Sequence, residues 1–117
     1  MSSRAAREAK GRRGEWLAAW YLRLTGWRIL AQRIKTPRGE IDLVARRGRM
    51  VAFVEVKWRS STKDLELAVD EYRLRRVAAA AEVLASRYVR PGDDMRIDVL
   101  LLAPGRFPRH LENVWMP

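Results

Sequence analysis

The sequence predicts an α/β domain in which a mixed β-sheet is flanked by helices, in the order α-β-β-β-α-β. Three observations lead there. Two β-rich runs, 40–47 and 50–58, are separated only by Gly48-Arg49, and Gly at the first position of a two-residue loop marks a type II′ hairpin turn. Stretches with helical spacing, 3–25 and 64–87, precede and follow the strand-rich region. The run 96–103 is apolar on both faces from Val99 to Leu102, as in a strand covered on both sides. Strands interleaved with helices in this way build a sheet with helices packed against it.

Each element has its own signal. In the first helix Ala5, Ala9, Trp16, Ala19, Trp20 and Leu22 recur at helical spacing, and the pattern stops at Thr25-Gly26. Gly26 stands where a helix C-terminus commonly takes a left-handed residue, while Gly11 and Gly14 weaken the first half of the helix. Trp27 to Lys35 reads as a strand and Thr36-Pro37-Arg38-Gly39 as a turn. The second helix, Asp64 to Arg87, is rich in Ala, Leu and Arg and is closed by Pro91-Gly92, with Ser60-Ser61-Thr62 as a loop leading to a cap near Asp64. Pro104, Gly105 and Pro108 break the chain before Leu111 to Trp115, which reads as an added edge strand. Without repeats or low-complexity linkers, residues 1–117 read as one domain with a basic N-terminal segment over about 1–13.

Composition narrows the function classes. The absence of Cys excludes a disulfide scaffold, a Cys-ligated zinc site and a thiol nucleophile, and fits a reducing compartment. No run approaches the roughly 20 apolar residues needed to span a bilayer. The start Met1-Ser2-Ser3-Arg4 leads into charged sequence rather than an apolar signal segment, so the expected location is cytoplasmic, away from membranes. The net charge is +10, and residues 1–38 alone carry ten Lys/Arg against two acids. A basic flank suits a polyphosphate, because each neutralised phosphate releases counterions. The preference for Arg, 20 against 4 Lys, equally fits genomic base composition.

The hairpin makes a geometric prediction. With Gly48-Arg49 as the loop, opposed residues have numbers summing to 97, so Asp42 faces Glu55 and Glu40 faces Lys57. Period-two alternation puts these four on one face, with Ile41, Leu43, Val54 and Val56 on the other. Val51 and Phe53 share the polar face further along the strand. Two directly opposed carboxylates repel each other, and a hard divalent cation with water ligands would offset that. Lys57 would then hold an attacking water or a phosphate oxygen. The alternative is a Glu40–Lys57 cross-strand salt bridge with Asp42 solvated near a strand end.

Acid, hairpin, Glu-x-Lys is the pattern of restriction-endonuclease-like nucleases. The runs Gly39-Glu40-Ile41-Asp42-Leu43-Val44-Ala45 and Phe53-Val54-Glu55-Val56-Lys57 resemble the YraN family of bacterial proteins, itself similar to Holliday-junction-resolvase-like nucleases. The resemblance extends to Gly14-Glu15 with Ala18 and Leu22, to Gly26, to Ala68-Val69 through Arg76, and to Arg96-Ile97-Asp98-Val99. It implies a restriction-endonuclease-like fold and an Mg²⁺- or Mn²⁺-dependent DNA endonuclease. Asp42 and Glu55 would be metal ligands, the Val56 carbonyl a third, and Lys57 would position the nucleophilic water. Glu15 would be the acid brought to the site by the first helix; from the residues alone it reads as solvated beside Arg12 and Arg13. Glu40 would support Lys57. The chain departs from the family pattern in having Arg33 and Lys35 ahead of the first motif, Arg73 where Lys is usual, and Trp58 before Arg59.

Arg12, Arg13, Lys35, Arg59, Arg73 and Arg76 are candidate nucleic-acid contacts, with a solvated surface as the other reading of each. Arg75 belongs with them, and Arg4, Arg7 and Lys10 extend the basic arm. Trp16, Trp20 and Trp27 can be read as stacking on unpaired bases, but the i, i+4 spacing of Trp16 and Trp20 reads as core. His110 is isolated in sequence and reads as a surface residue. The expected activity is phosphodiester hydrolysis on DNA, branched or single-stranded forms included, and a homodimer would let two sites cut both strands. The alternatives are a non-catalytic nucleic-acid-binding or accessory protein, and a basic module for an acidic protein partner.

Overall fold

Burial on both faces of the central strands, two of four nine-residue strands, decides the architecture. The computed structural model describes the backbone over residues 4–58 and 71–115, with side chains over 14–58 and 72–115. Helix α1 (Arg4–Leu24) is followed by β1 (Arg28–Thr36), β2 (Gly39–Arg47) and β3 (Met50–Trp58), then α2 (Glu71–Tyr88), β4 (Asp94–Leu102) and β5 (Arg109–Leu111). The strands form one sheet in the order β1-β2-β3-β4-β5. β3 and β4 are parallel, and every other pair is antiparallel. The parallel pair needs the crossover that α2 supplies.

Helices cover both faces. Val51, Phe53, Ile97, Val99 and Leu101 pack with Leu74, Val77, Ala81 and Leu84 of α2. Ala52, Val54, Leu100 and Leu102 pack with Ala18, Ala19 and Leu22 of α1. This is why β3 and β4 read as continuous apolar runs.

The hairpin register is the predicted one from Arg47↔Met50 to Leu43↔Val54. Gly48 has φ +63 and Arg49 is not in the positive-φ region, as a type II′ loop requires. Gly26, at φ +96, ends α1 as expected.

Three expectations change. The tail strand is β5, residues 109–111, ahead of the predicted 111–115, because Asn113 turns left-handed at φ +53 and its N–H bonds to Asp98. Ile41 packs with Val44 on the α2 side rather than with Leu43 and Val54 on the α1 side, so alternation in β2 breaks at Asp42. Beside that break the β2–β3 ladder ends, and Arg33 in neighbouring β1 has φ +54. Trp16 and Trp20 are exposed, at 59% and 46%, rather than core. The start of the predicted second helix near Asp64, its approach through Ser60-Ser61-Thr62, and Arg59 lie outside the described residues.

Candidate functional site

Glu55 and Lys57 stand two residues apart on β3, and alternation puts both on the α2 side with Val51 and Phe53. Asp42 lies where β2 loses its register. The ladder ends at Leu43↔Val54, so Asp42–Glu55 and Glu40–Lys57 are not ladder pairs. The Asp42 carboxylate instead accepts the Val56 N–H at 2.8 Å, a side chain taking the place of the missing backbone partner. Lys57 Nζ meets Glu55 Oε1 at 2.9 Å, on its own strand rather than across to Glu40.

These groups gather under α2. A cleft of about 490 Å³ is lined by Glu40, Asp42, Glu55, Tyr72, Arg73, Arg76 and Val77. Glu55 and Lys57 are buried, with Lys57 only 4% exposed, whereas Glu40 is exposed. Arg73 reaches in from α2, Nε to Glu55 Oε1 at 3.2 Å, and its side chain stays largely in solvent. The close approach of α2 depends on Gly39, where a Cβ would stand 2.9 Å from the Arg76 carbonyl oxygen. Beside it the Thr36 hydroxyl closes the β1–β2 turn, donating to the Gly39 carbonyl at 2.8 Å and accepting the Gly39 N–H at 3.1 Å.

Burial pushes the Asp42 carboxyl above its ordinary value; the Val56 N–H opposes this, the Glu55 charge adds to it, and Lys57 and Arg73 oppose it. The site therefore holds a carboxylate reluctant to ionise beside one already engaged by two cations. The donor set suits a small hard cation. Magnesium typically binds through one or two carboxylates and keeps several waters, and of the three carboxylates lining the cleft Asp42 and Glu55 are the two withdrawn from solvent, Glu40 being exposed. Among the described residues no group of three or more His, Cys, Asp or Glu is placed to hold a metal ion by side chains alone, and neither His nor Cys lines the cleft.

The other sequence candidates are placed as follows. Glu15 of α1 pairs with Arg33, Nε to Oε2 at 3.2 Å, and is not among the residues lining the cleft. Lys35 is exposed on β1 beside Glu40, its register partner. Arg73 and Arg76 line the cleft, and Arg75 is exposed on the same helix. Arg12 and Arg13 belong to α1 with side chains outside the described set. Trp27 is buried between α1 and the sheet, with the Arg47 and Arg96 guanidinium groups 4.4 and 5.2 Å from its ring centroid.

Sequence reasoning missed a buried polar cluster on β4 and β5. Asp98, at 0% exposure, accepts from Arg96 Nε at 3.0 Å and from the Asn113 N–H at 2.9 Å, and lies 2.7 Å from His110 Nε2. His110 is therefore not a surface residue: its side chain is 11% exposed. The available signal was a lone acid inside an apolar central strand, which must find partners or remain neutral. Tyr72 was missed at the cleft because nothing in its local sequence separates it from other exposed helix positions.

Comparison with known proteins fits this arrangement. Over 86% of this chain and 73% of the other, the structure resembles that of Archaeoglobus fulgidus Hjc, a Holliday junction resolvase from an archaeal hyperthermophile, with a TM-score of 0.60 and 18% sequence identity. The fold is thus restriction-endonuclease-like. A UPF0102 protein of Sphingopyxis alaskensis is 69% identical over 98% of this chain and 99% of its own length. One of Erythrobacter litoralis is 66% identical over 94% and 95%. The pattern of uncharacterised protein family UPF0102 matches residues 14–102, and the chain belongs to that family.

Proposed function

We propose that this protein is a metal-dependent DNA endonuclease acting on branched or single-stranded forms. The observation that carries the reading is the convergence of Asp42 and Glu55, from two strands that part at that point, in a cleft rimmed by Arg73 and Arg76, with Lys57 buried against Glu55. Asp42 and Glu55 would hold Mg²⁺ or Mn²⁺. The Val56 carbonyl would join them, since in an extended strand a residue's N–H and C=O point to the same side and the Val56 N–H already points at Asp42. A cation bound there supplies a water of lowered pKa and charge neutralisation at phosphorus.

The chain's own residues do the rest. The Lys57 ammonium, fixed by Glu55, holds the attacking water or a phosphate oxygen at a constant position. Arg73 and Arg76 meet the scissile phosphate and its neighbour, where a fork of N–H donors matches phosphate oxygens. Glu40 lines the rim rather than pairing with Lys57 in the ladder, and Glu15 acts on the site through Arg33 and β1. A homodimer would bring two clefts to the two strands of one substrate.

The test is cleavage of supercoiled, single-stranded and four-way-junction DNA with Mg²⁺ or Mn²⁺ by wild type, Asp42→Ala and Lys57→Ala. Loss of at least a hundredfold in both variants supports the reading, while equal activity in all three proteins refutes it. One observation favours a second reading: Glu55 is already neutralised by Lys57 and Arg73, as in a structural ion cluster. A non-catalytic nucleic-acid-binding protein would bind DNA independently of divalent metal and of Asp42.

A further inference from the structure

Helix α1 is built inside out. Its face against the sheet carries the small residues Ala18 and Ala19 with Leu22, all buried. Its outer face carries Trp16, Trp20 and Leu24, at 59%, 46% and 80% exposure. Spaced i, i+4, i+8, these three form one stripe about 12 Å long. A contiguous apolar stripe left in water marks a binding surface more often than chance. The two indoles stand edge to face, centroids 6.2 Å apart and planes at 68°, and the Arg23 guanidinium lies over one face of the Trp20 ring, 5.6 Å from its centroid, while the outward surfaces of both rings stay in solvent.

The charge of the helix selects the occupant. α1 holds six Lys/Arg against two Glu. Five of the six, Arg4 to Arg13, stand in the turns that precede the stripe and Arg23 stands beside it, so the helix taken along its length is complementary to a polyanion. The position of the stripe narrows the polyanion. α1 and the Asp42–Glu55 cleft lie on opposite faces of the sheet, so neither a flat membrane nor a straight duplex, stiff over about 150 base pairs, reaches both. A flexible strand does. The route crosses edge strand β1, where Lys35 is exposed beside its partner Glu40 of the cleft and Arg33 is half exposed beside Glu15. α1 itself reaches the Lys57 end of β3, since a methyl at Gly14 would stand 3.7 Å from the Trp58 ring.

We propose that the outer face of α1 is a stacking platform for unpaired nucleobases, taking the single-stranded arm of a substrate whose phosphodiester lies in the cleft. The inference rests on the reading of the partner as DNA. Base–aromatic stacking is indifferent to sequence because every base has a π-face, so the platform selects unpaired structure rather than a base order.

The test is fluorescence anisotropy without divalent metal, using labelled oligothymidylate and a duplex of equal length. Wild type is compared with Trp16→Ala/Trp20→Ala and with Trp16→Phe/Trp20→Phe, with circular dichroism to confirm folding. The double Ala variant is expected to lose about tenfold or more in single-strand affinity and less than about twofold on the duplex, while the Phe variant keeps most of the single-strand affinity. Unchanged single-strand binding, or an equal loss on both DNAs, overturns the platform and leaves DNA as partner intact. A wild type that binds neither DNA overturns both readings. Trp-dependent self-association in sedimentation, or Trp-dependent binding to phosphatidylserine vesicles in place of single strands, overturns the platform in favour of a second copy or a membrane surface.

Discussion

Asp42 sets stability against the role proposed for it. Its carboxyl is raised by burial and by Glu55, so ionising it opposes folding. The sign follows from linkage. Below the ordinary value of 3.8 the carboxyl is protonated in both folded and unfolded chains and contributes no penalty; the penalty grows as pH rises from there and is complete above the raised folded value. Asp42→Asn keeps an acceptor for the Val56 N–H and removes the charge, so its melting temperature at pH 7 is expected to exceed that of wild type. The difference should shrink as pH falls from the raised folded value to 3.8, and a thermal melt series would check this. Added Mn²⁺ should raise the wild-type midpoint, by about 2.7 kcal/mol of stability at a hundredfold excess over Kd, and leave that of Asp42→Asn unmoved. A variant less stable than wild type at pH 7 would contradict the account.

At the scale of elements, two contacts fix α2 against the sheet, one at each of its ends. Gly39 lets β2 approach α2, and Gly39→Ala would force a methyl to 2.9 Å from the Arg76 carbonyl oxygen. Because backbone lies on the far side, the expected loss is about 1–3 kcal/mol, read by denaturant titration, with DNA binding weakened as Arg73 and Arg76 shift. At the other end of the sheet, Arg46 joins the hairpin to the α2–β4 turn. Its guanidinium donates to Asp93 at 2.6 and 3.1 Å, to the Tyr88 carbonyl at 3.2 Å and to the Gly48 carbonyl at 3.2 Å. The bond from Arg46, helped by the Arg90 N–H, holds the Asp93 carboxyl down at about 2. A depressed carboxylate stabilises the fold fully above its ordinary 3.8, and that stabilisation is lost as pH falls through about 2. Asp93→Asn should therefore melt below wild type at pH 7 and converge with it near pH 2.

For the molecule as a whole, charge would set how it meets the proposed DNA partner. A net +10, concentrated in residues 1–38, predicts binding dominated by phosphate contacts. Affinity for a fixed duplex should fall linearly in log–log terms with salt, by about a thousandfold or more between 50 and 200 mM if six or more phosphates are engaged. A salt-insensitive affinity would point to an uncharged interface instead. Much of this was legible in the chain: the element order, the II′ hairpin and its register down to Leu43↔Val54, and the face shared by Glu55 and Lys57. These follow from period-two alternation and turn chemistry, which are local. The position of Ile41, the exposure of Trp16 and Trp20, and the burial of His110 did not follow from local pattern. At Asp42 the ladder ends, and in α1 an i, i+4 aromatic pair looks the same in sequence whether it faces the sheet or the solvent.

The sequence by itself determined which residues alternate, where the chain turns, and that acids and a lysine would lie on neighbouring segments, because strand period and turn preference act over a few residues. Only the tertiary structure decided that Asp42 would cap the Val56 amide, that α2 would bring Arg73 onto Glu55, and that β5 would bring His110 to Asp98. Those contacts join groups 12 to 18 positions apart, and their existence depends on where strands part and helices pack, which no local period encodes.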